Sequence, residues 1–181
     1  MIKFVHKLGH KSGLYKFYIA EIQGCLSGGL LLAAAALSAA LLELFVRDLA
    51  VARRIVLSGD TGSVERLRGR VERELEEDRQ MGFAKMLDEL RVTVLEPGDK
   101  DELRNFYDQT RVPLAHGLVR RLTGSPFGAN EIDDLFSDLA RRSVLENRII
   151  EDGAIQDVQF VVGIMKKYQP WLLRRYNERE G

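Results

Sequence analysis

The chain has 181 residues, 45% of them hydrophobic and 30% charged, which is enough to bury one hydrophobic core. Its 27 basic residues balance 27 acidic ones, so the overall charge indicates no polyanionic partner, and any contact with nucleic acid must come from a local patch. The single cysteine, Cys25, excludes an intrachain disulfide and is predicted to be a buried structural thiol. No secretory signal pattern is evident, so we expect a cytoplasmic protein.

The first half of the chain predicts helices. Residues 1–13 are basic and contain two glycines, which indicates a loose N-terminus. Residues 14–57 predict one long helix or two in series, broken near Gly24 or Gly28-Gly29. Apolar residues recur there at three- and four-residue steps, the helical period: Leu26, Leu30, Ala33, Leu37, Leu41 and Leu44. We therefore expect residues 26–44 to be helical and mostly buried.

Residues 24–42 also form a run of nineteen residues without a charge, which is close to the length that spans a bilayer. Alanine supplies much of this run, and serine and glycine dilute it, so a central buried helix is the favoured interpretation. The alternative is a membrane-tethered accessory protein.

The middle of the chain predicts a turn over 58–62 and then a strongly charged helix from Ser63 to about Leu90. One apolar stripe supports this helix: Val64, Leu67, Val71 and Leu75. Residues 91–95 have the composition of a short strand, but no other segment offers a partner strand.

Residues 99–121 predict a helix that is interrupted at Pro113. A loop over 123–129 precedes a helix capped by Asn130, which ends at Asp152-Gly153. A last helix is predicted over 155–177, with a disturbance at Pro170. The predicted fold is therefore an all-α bundle of about five helices, one domain over residues 1–181 with its core in 14–150.

No motif predicts a metal or a cofactor. His6 and His10 have a metal-ligand spacing, but they lie beside Gly9 without an obvious third ligand. A basic terminus is the better interpretation of these two histidines.

The segment from Asn105 to Arg121 carries the candidate site. It contains His116, the one histidine outside the N-terminal residues, and together with Arg104 just before it the segment has four arginines against a single aspartate. Arginine can bind a phosphate with two hydrogen bonds, and histidine can transfer a proton near neutral pH. Arg111 and His116 are the candidates for phosphodiester chemistry, with Arg104, Arg120 and Arg121 as the other basic residues of this region.

Residues 111–118, RVPLAHGL, resemble the signature of the HEPN superfamily, in which an arginine is followed after four to six residues by a histidine. The resemblance covers residues 20–150, and the Ala- and Leu-rich helix with Glu43 is similar to the first core helix of that superfamily. It implies a metal-independent endoribonuclease of toxin, antiphage or RNA-processing systems that acts as a homodimer. Arg111 would hold the scissile phosphate, and His116 would move a proton while the RNA 2′-hydroxyl attacks. An antitoxin or regulatory protein is a further implied partner.

Two positions depart from the superfamily pattern. Val112 stands where an asparagine often follows the arginine, which favours an alternative: a non-catalytic module that binds a nucleotide, RNA or a protein. Leu118 stands where one toxin subgroup has a tyrosine that a partner nucleotidyltransferase modifies, so that partner is not supported.

Helix geometry places a condition on the motif. Five residues of an α-helix rotate by about 140°, so Arg111 and His116 would not share a face of one straight helix. A helix that restarts at Pro113 would leave Arg111 at its N-terminus, where backbone N–H groups favour an anion. In the structural alternative, Arg111 pairs with an acidic residue of a neighbouring helix and His116 caps or packs.

Overall fold

The structure is a computed structural model that describes residues 12–59, 64–77, 82–111 and 144–180. Every regular element in these ranges is helical, so the prediction of an all-α bundle is confirmed. The elements are α1 (Ser12–Ser27), α2 (Leu31–Leu57), α3 (Val64–Glu77), α4 (Phe83–Arg91), α5 (Asp99–Phe106), a π-helix (Tyr107–Arg111) and α6 (Val144–Glu180). The predicted loop over 123–129 and the helix start at Asn130 lie outside the described residues.

The predicted break between the first two helices is confirmed at Gly28-Gly29. Gly29 has a φ of 72°, a left-handed conformation that glycine adopts without a steric penalty. The Leu30 N–H donates to the Cys25 carbonyl at 2.8 Å, and the Gly29 N–H donates to the Leu26 carbonyl at 3.3 Å. This pair of hydrogen bonds is the Schellman arrangement, which satisfies the last carbonyls of α1 and turns the chain into α2.

Helix α2 lies at the centre of the bundle and packs against α1, α3, α4 and α6. Its burial begins at Ala34, whereas Leu26 and Leu30 are 37% and 60% exposed, so the prediction that residues 26–44 are mostly buried was wrong at its start. The turn at Gly28-Gly29 is the reason, because it separates α1 from α2 and interrupts the apolar stripe that the sequence predicted. Cys25, just before the turn, is half-buried rather than buried. Within the described ranges, no helix has the length and apolar character needed to cross a membrane.

The single charged helix predicted from Ser63 to Leu90 was wrong. Gly82 has an extended backbone, with φ −76° and ψ 169°, and α4 begins anew after it. Leu67, Val71 and Leu75 of the stripe predicted on α3 are buried, and they form a small second core with Val51 and Ile55 of α2. Residues 91–95, whose composition suits a short strand without a partner, form turns that close α4, because the N–H groups of Thr93, Val94 and Leu95 all donate to the Leu90 carbonyl.

The predicted helix break at Asp152-Gly153 was wrong as well, since α6 continues from Val144 to Glu180. Glycine inside a helix costs only about 1 kcal/mol, and the buried residues that follow it on α6, among them Ala154 and Val161, supply far more by packing in the core. Helix α6 also continues through Pro170, which Tyr168 and Leu172 flank with buried side chains.

A buried polar network connects α1, α2 and α3. The Asp48 carboxylate of α2 has no exposed surface, and the Tyr15 hydroxyl of α1 donates to its Oδ2 at 2.9 Å. From α3, the Arg68 guanidinium lies 3.4 Å from Asp48 Oδ1, and Arg68 Nε donates to Glu72 at 2.9 Å. Burying a carboxylate without partners costs several kcal/mol, so the position of Asp48 requires both neighbouring helices.

We predict that Asp48→Ala lowers the free energy of unfolding by about 3–5 kcal/mol, because it removes one partner of a buried ion pair and leaves Arg68 in the interior with one carboxylate fewer. Tyr15→Phe removes only a hydroxyl donor and should cost about 1–3 kcal/mol. Urea unfolding followed by circular dichroism measures both changes. Glu74→Ala is the control, since it breaks an exposed 3.6 Å pair with Arg70 and should cost less than about 1 kcal/mol. Equal effects of Asp48→Ala and Glu74→Ala would contradict a structural role of the network.

Candidate functional site

The helix that leads to the predicted site is held at its beginning by α6. Gly98, with a φ of 93°, turns the chain into α5. The Tyr168 hydroxyl donates a hydrogen bond to the Asp99 carboxylate and accepts one from the Glu96 N–H at 2.8 Å. Lys167 Nζ lies 2.7 Å from carboxylate oxygens of both Asp99 and Glu96. The first turn of α5 is therefore fixed against α6 by charged hydrogen bonds.

The pKa values in this cluster reflect its hydrogen bonds. Burial, together with the hydrogen bond to Asp99, raises the pKa of Tyr168 to about 12. The hydrogen bonds to Asp99 and Glu96 raise the pKa of Lys167 above its ordinary value. Burial acts to raise the pKa of Asp99, but the hydrogen bonds from Lys167 and Tyr168 outweigh it, and the pKa of that carboxyl is lowered. All three groups are therefore held in the protonation states that bind one another at neutral pH.

The end of α5 widens into the π-helix Tyr107–Arg111, which the sequence did not predict. Single π-turns inside helices are frequent at functional sites. Two side-chain contacts fix the π-helix Tyr107–Arg111 to its neighbours. Tyr107 stacks on Phe83 of α4 with ring centroids 4.3 Å apart, and the Thr110 hydroxyl donates to Asp157 of α6 at 3.1 Å. Thr110 is 5% exposed and Asp157 is half-buried, so this hydrogen bond is partly buried.

The predicted site residues stand as follows. Arg111 is the last residue of the π-helix. Arg104 is half-exposed on α5, and its Nε donates to Asp108 at 2.9 Å, so part of its charge is neutralised one turn away. His116, Arg120 and Arg121 lie outside the described residues, and their relation to Arg111 stays a prediction.

A cleft of about 360 Å³ lies between the α5–π-helix segment and α6, on the turns that precede Arg111. Its lining combines amides, carboxylates, a hydroxyl and two aromatic rings: Glu102, Asn105, Phe106, Gln109, Thr110, Gln156, Asp157 and Phe160. None of these described lining residues is a lysine or an arginine. The cleft can therefore hold a group that forms hydrogen bonds and carries no negative charge, whereas a phosphate would need cationic residues beside the cleft.

Sequence reasoning missed these lining residues, although part of the signal was present. The members from α5 and the π-helix recur at three- and four-residue steps, which marks one face of a helix. Asp157 lies 47 residues after Thr110, and nothing in their local sequence indicates that they meet. This half of the cleft depends on how α6 packs.

Across the residues that the structure describes, no group of three or more His, Cys, Asp or Glu side chains could hold a metal ion. Comparisons of the protein with protein-family models, with curated proteins and with solved structures found no match. The HEPN resemblance therefore depends on the amino-acid sequence alone.

We predict that ionisation of the Tyr168 hydroxyl lowers the free energy of unfolding at alkaline pH. Its folded-state pKa of about 12 lies above the ordinary value of 10.0, so its contribution is fully present below about pH 10 and is lost as the pH rises towards 12. Wild-type protein should thus lose more free energy of unfolding between about pH 9 and about pH 11 than Tyr168→Phe, which has no hydroxyl to ionise. Urea unfolding at both pH values measures the difference, and parallel losses in the two proteins would refute this assignment.

We predict that Thr110→Val lowers the free energy of unfolding by about 1–3 kcal/mol, because the Asp157 carboxylate loses a donor in a partly buried position. The matched control is Thr93→Val. The Thr93 hydroxyl accepts a hydrogen bond from Arg53 at 2.8 Å, but it is exposed, so this change should stay within about 0.5 kcal/mol. Thermal unfolding of both variants tests the comparison, and a Thr110→Val variant as stable as the control would show that the π-helix does not depend on this contact.

Proposed function

We propose that the protein is a HEPN-type, metal-independent endoribonuclease whose reaction is carried by Arg111 and His116. One observation supports this most strongly: the Arg-x4-His segment begins where a π-helix ends, and that π-helix is fixed on both sides, to α4 through Phe83 and to α6 through Asp157. Catalytic geometry requires such rigid support, because small displacements of a positioned group reduce the rate strongly.

The proposed reaction uses the nucleophile that RNA itself carries. A 2′-hydroxyl gives its proton to a general base and attacks the adjacent phosphorus, while the bond from phosphorus to the 5′-oxygen breaks and that oxygen takes up a proton. The products are a 2′,3′-cyclic phosphate and a 5′-hydroxyl. His116 transfers protons, worth about 10²–10⁴-fold, and Arg111 stabilises the extra negative charge on the phosphate.

The proposal includes partners. In a homodimer, the motifs of two protomers would line one cleft, and symmetry would double a small site without additional sequence. Arg104, Arg120 and Arg121 are proposed to bind the RNA backbone. A toxin or antiphage effector with this activity would act in the cytoplasm and would need an antitoxin or a regulatory protein.

Val112 favours a second candidate function, a HEPN-like module that binds RNA, a nucleotide or a protein without cleaving RNA. An apolar side chain at this position cannot donate a hydrogen bond to the phosphate or orient the neighbouring arginine. Val112→Asn separates the two candidates, because it supplies the amide that the superfamily often has there.

We predict that the purified protein cleaves single-stranded RNA in the presence of EDTA. His116→Ala and Arg111→Ala should each reduce the cleavage rate by at least about 100-fold, because each removes a group that acts in the transition state. Gel analysis of a labelled oligonucleotide measures the rate, and detection of the cyclic phosphate by mass spectrometry identifies the reaction.

Arg91→Ala is the control for loss of one positive charge, since Arg91 is exposed at the end of α4, and it should cleave at nearly the wild-type rate. Circular dichroism and light scattering should show unchanged helicity and a dimer in every variant. Cleavage that EDTA abolishes would contradict the mechanism. Absence of cleavage in both wild type and Val112→Asn, with RNA binding that still depends on Arg111, would establish the non-catalytic function instead.

A further inference from the structure

The cleft before Arg111 has a lining that selects for one kind of ligand. Its two carboxylates, Glu102 and Asp157, repel an anion and accept hydrogen bonds, so a phosphate does not fit there. Three amides, from Asn105, Gln109 and Gln156, both donate and accept hydrogen bonds, so a purely aliphatic ligand would leave them unsatisfied. The complementary ligand group carries no negative charge, and it has several hydrogen-bond donors together with an acceptor.

Aromatic residues add a preference for a flat ligand. Phe106 and Phe160 stack with ring centroids 4.9 Å apart and planes at 24°, and both line the cleft. Phe106 is only 8% exposed, whereas Phe160 is half-buried and offers more aromatic surface. A planar heterocycle can stack on such a surface, as bases do in proteins that bind single strands. The volume of about 360 Å³ lies at the lower end of the range for small-molecule sites, about 300–1,000 Å³.

We propose that this cleft is a nucleobase subsite that prefers guanine in single-stranded RNA; the inference builds on the proposed function and names its substrate preference. Guanine presents two adjacent N–H donors, from its ring nitrogen and its amino group, which match a carboxylate such as Glu102. Its O6 accepts a hydrogen bond from an amide such as Gln109. Uracil offers one N–H between two carbonyl groups, and those carbonyls would face the carboxylates.

The position of the cleft connects base recognition with the proposed chemistry. Gln109 and Thr110 line the cleft, and Arg111 follows them directly in the π-helix. A guanine bound in the cleft would bring its own ribose and phosphate close to the segment that begins at Arg111. Phosphate contacts position a nucleic acid, whereas contacts to base edges give the sequence preference. The sequence preference would thus come from cleft residues outside the Arg-x4-His motif.

The experiment measures binding without cleavage, so that it does not depend on catalysis. Fluorescence anisotropy compares a short oligouridine with the same oligonucleotide carrying one central guanosine, both with 2′-fluoro groups in place of the 2′-hydroxyls. Wild type should bind the guanosine oligonucleotide about tenfold more tightly, the order of discrimination that one good pair of hydrogen bonds to a base provides. Glu102→Gln should bring this ratio close to one, because an amide presents a donor where guanine also has a donor.

Asp101→Asn is the matched control. Asp101 is also an exposed carboxylate of α5, one residue earlier, but it does not line the cleft. Both variants lose one negative charge, so both should bind all RNA slightly more tightly, and only Glu102→Gln should lose the preference for guanosine. Gln156→Ala, on the α6 side, should weaken the preference without the change in charge.

The outcomes separate this inference from the proposed function. Arg111-dependent binding of both oligonucleotides with equal affinity overturns the guanine subsite and leaves the RNA-binding proposal intact. An equal loss of preference in Glu102→Gln and Asp101→Asn also overturns it, and failure to bind either oligonucleotide overturns both proposals. A guanosine preference that depends on Glu102, in a protein that cleaves no RNA, supports the subsite and contradicts only the endoribonuclease.

Discussion

The buried carboxylate of Asp48 is the constraint on which the arrangement of the first three helices depends. It lies on the central helix α2 without exposed surface, and its two oxygens interact with Tyr15 of α1 and Arg68 of α3. Apolar packing tolerates small shifts of one helix along another, whereas hydrogen bonds to a charged group fix distance and direction. The network therefore specifies the register of three helices, while the surrounding apolar residues provide most of the stabilisation.

The sequence was informative where local chemistry determined the structure. Gly28-Gly29 predicted the break between α1 and α2, because glycine adopts without steric penalty the left-handed conformation that ends a helix. The apolar stripe on α3 predicted the buried face of that helix. It misled where tertiary packing outweighed a local preference. Gly153 favours a break, yet α6 continues through it because its buried neighbours pack in the main core.

The candidate site likewise has parts that the sequence could indicate and parts that it could not. A short motif marked Arg111, and helical spacing could have marked the cleft residues of α5. The π-helix and the contribution of α6 could not be predicted, because both arise from contacts between residues far apart in sequence, such as Thr110 with Asp157. The sequence can thus indicate Arg111 as a candidate, but it does not indicate the shape of the surface next to that residue.

The separate small core beneath α3 has a consequence for how the bundle comes apart. This helix is held by five apolar side chains shared with α2 and by the ion pair between Arg68 and Asp48, while the larger core lies among the other helices. Detachment of α3 would leave that larger core in place, so it requires less free energy than global unfolding. Amide hydrogen exchange should therefore register the opening of helix α3 as a cooperative event that precedes exchange in α2.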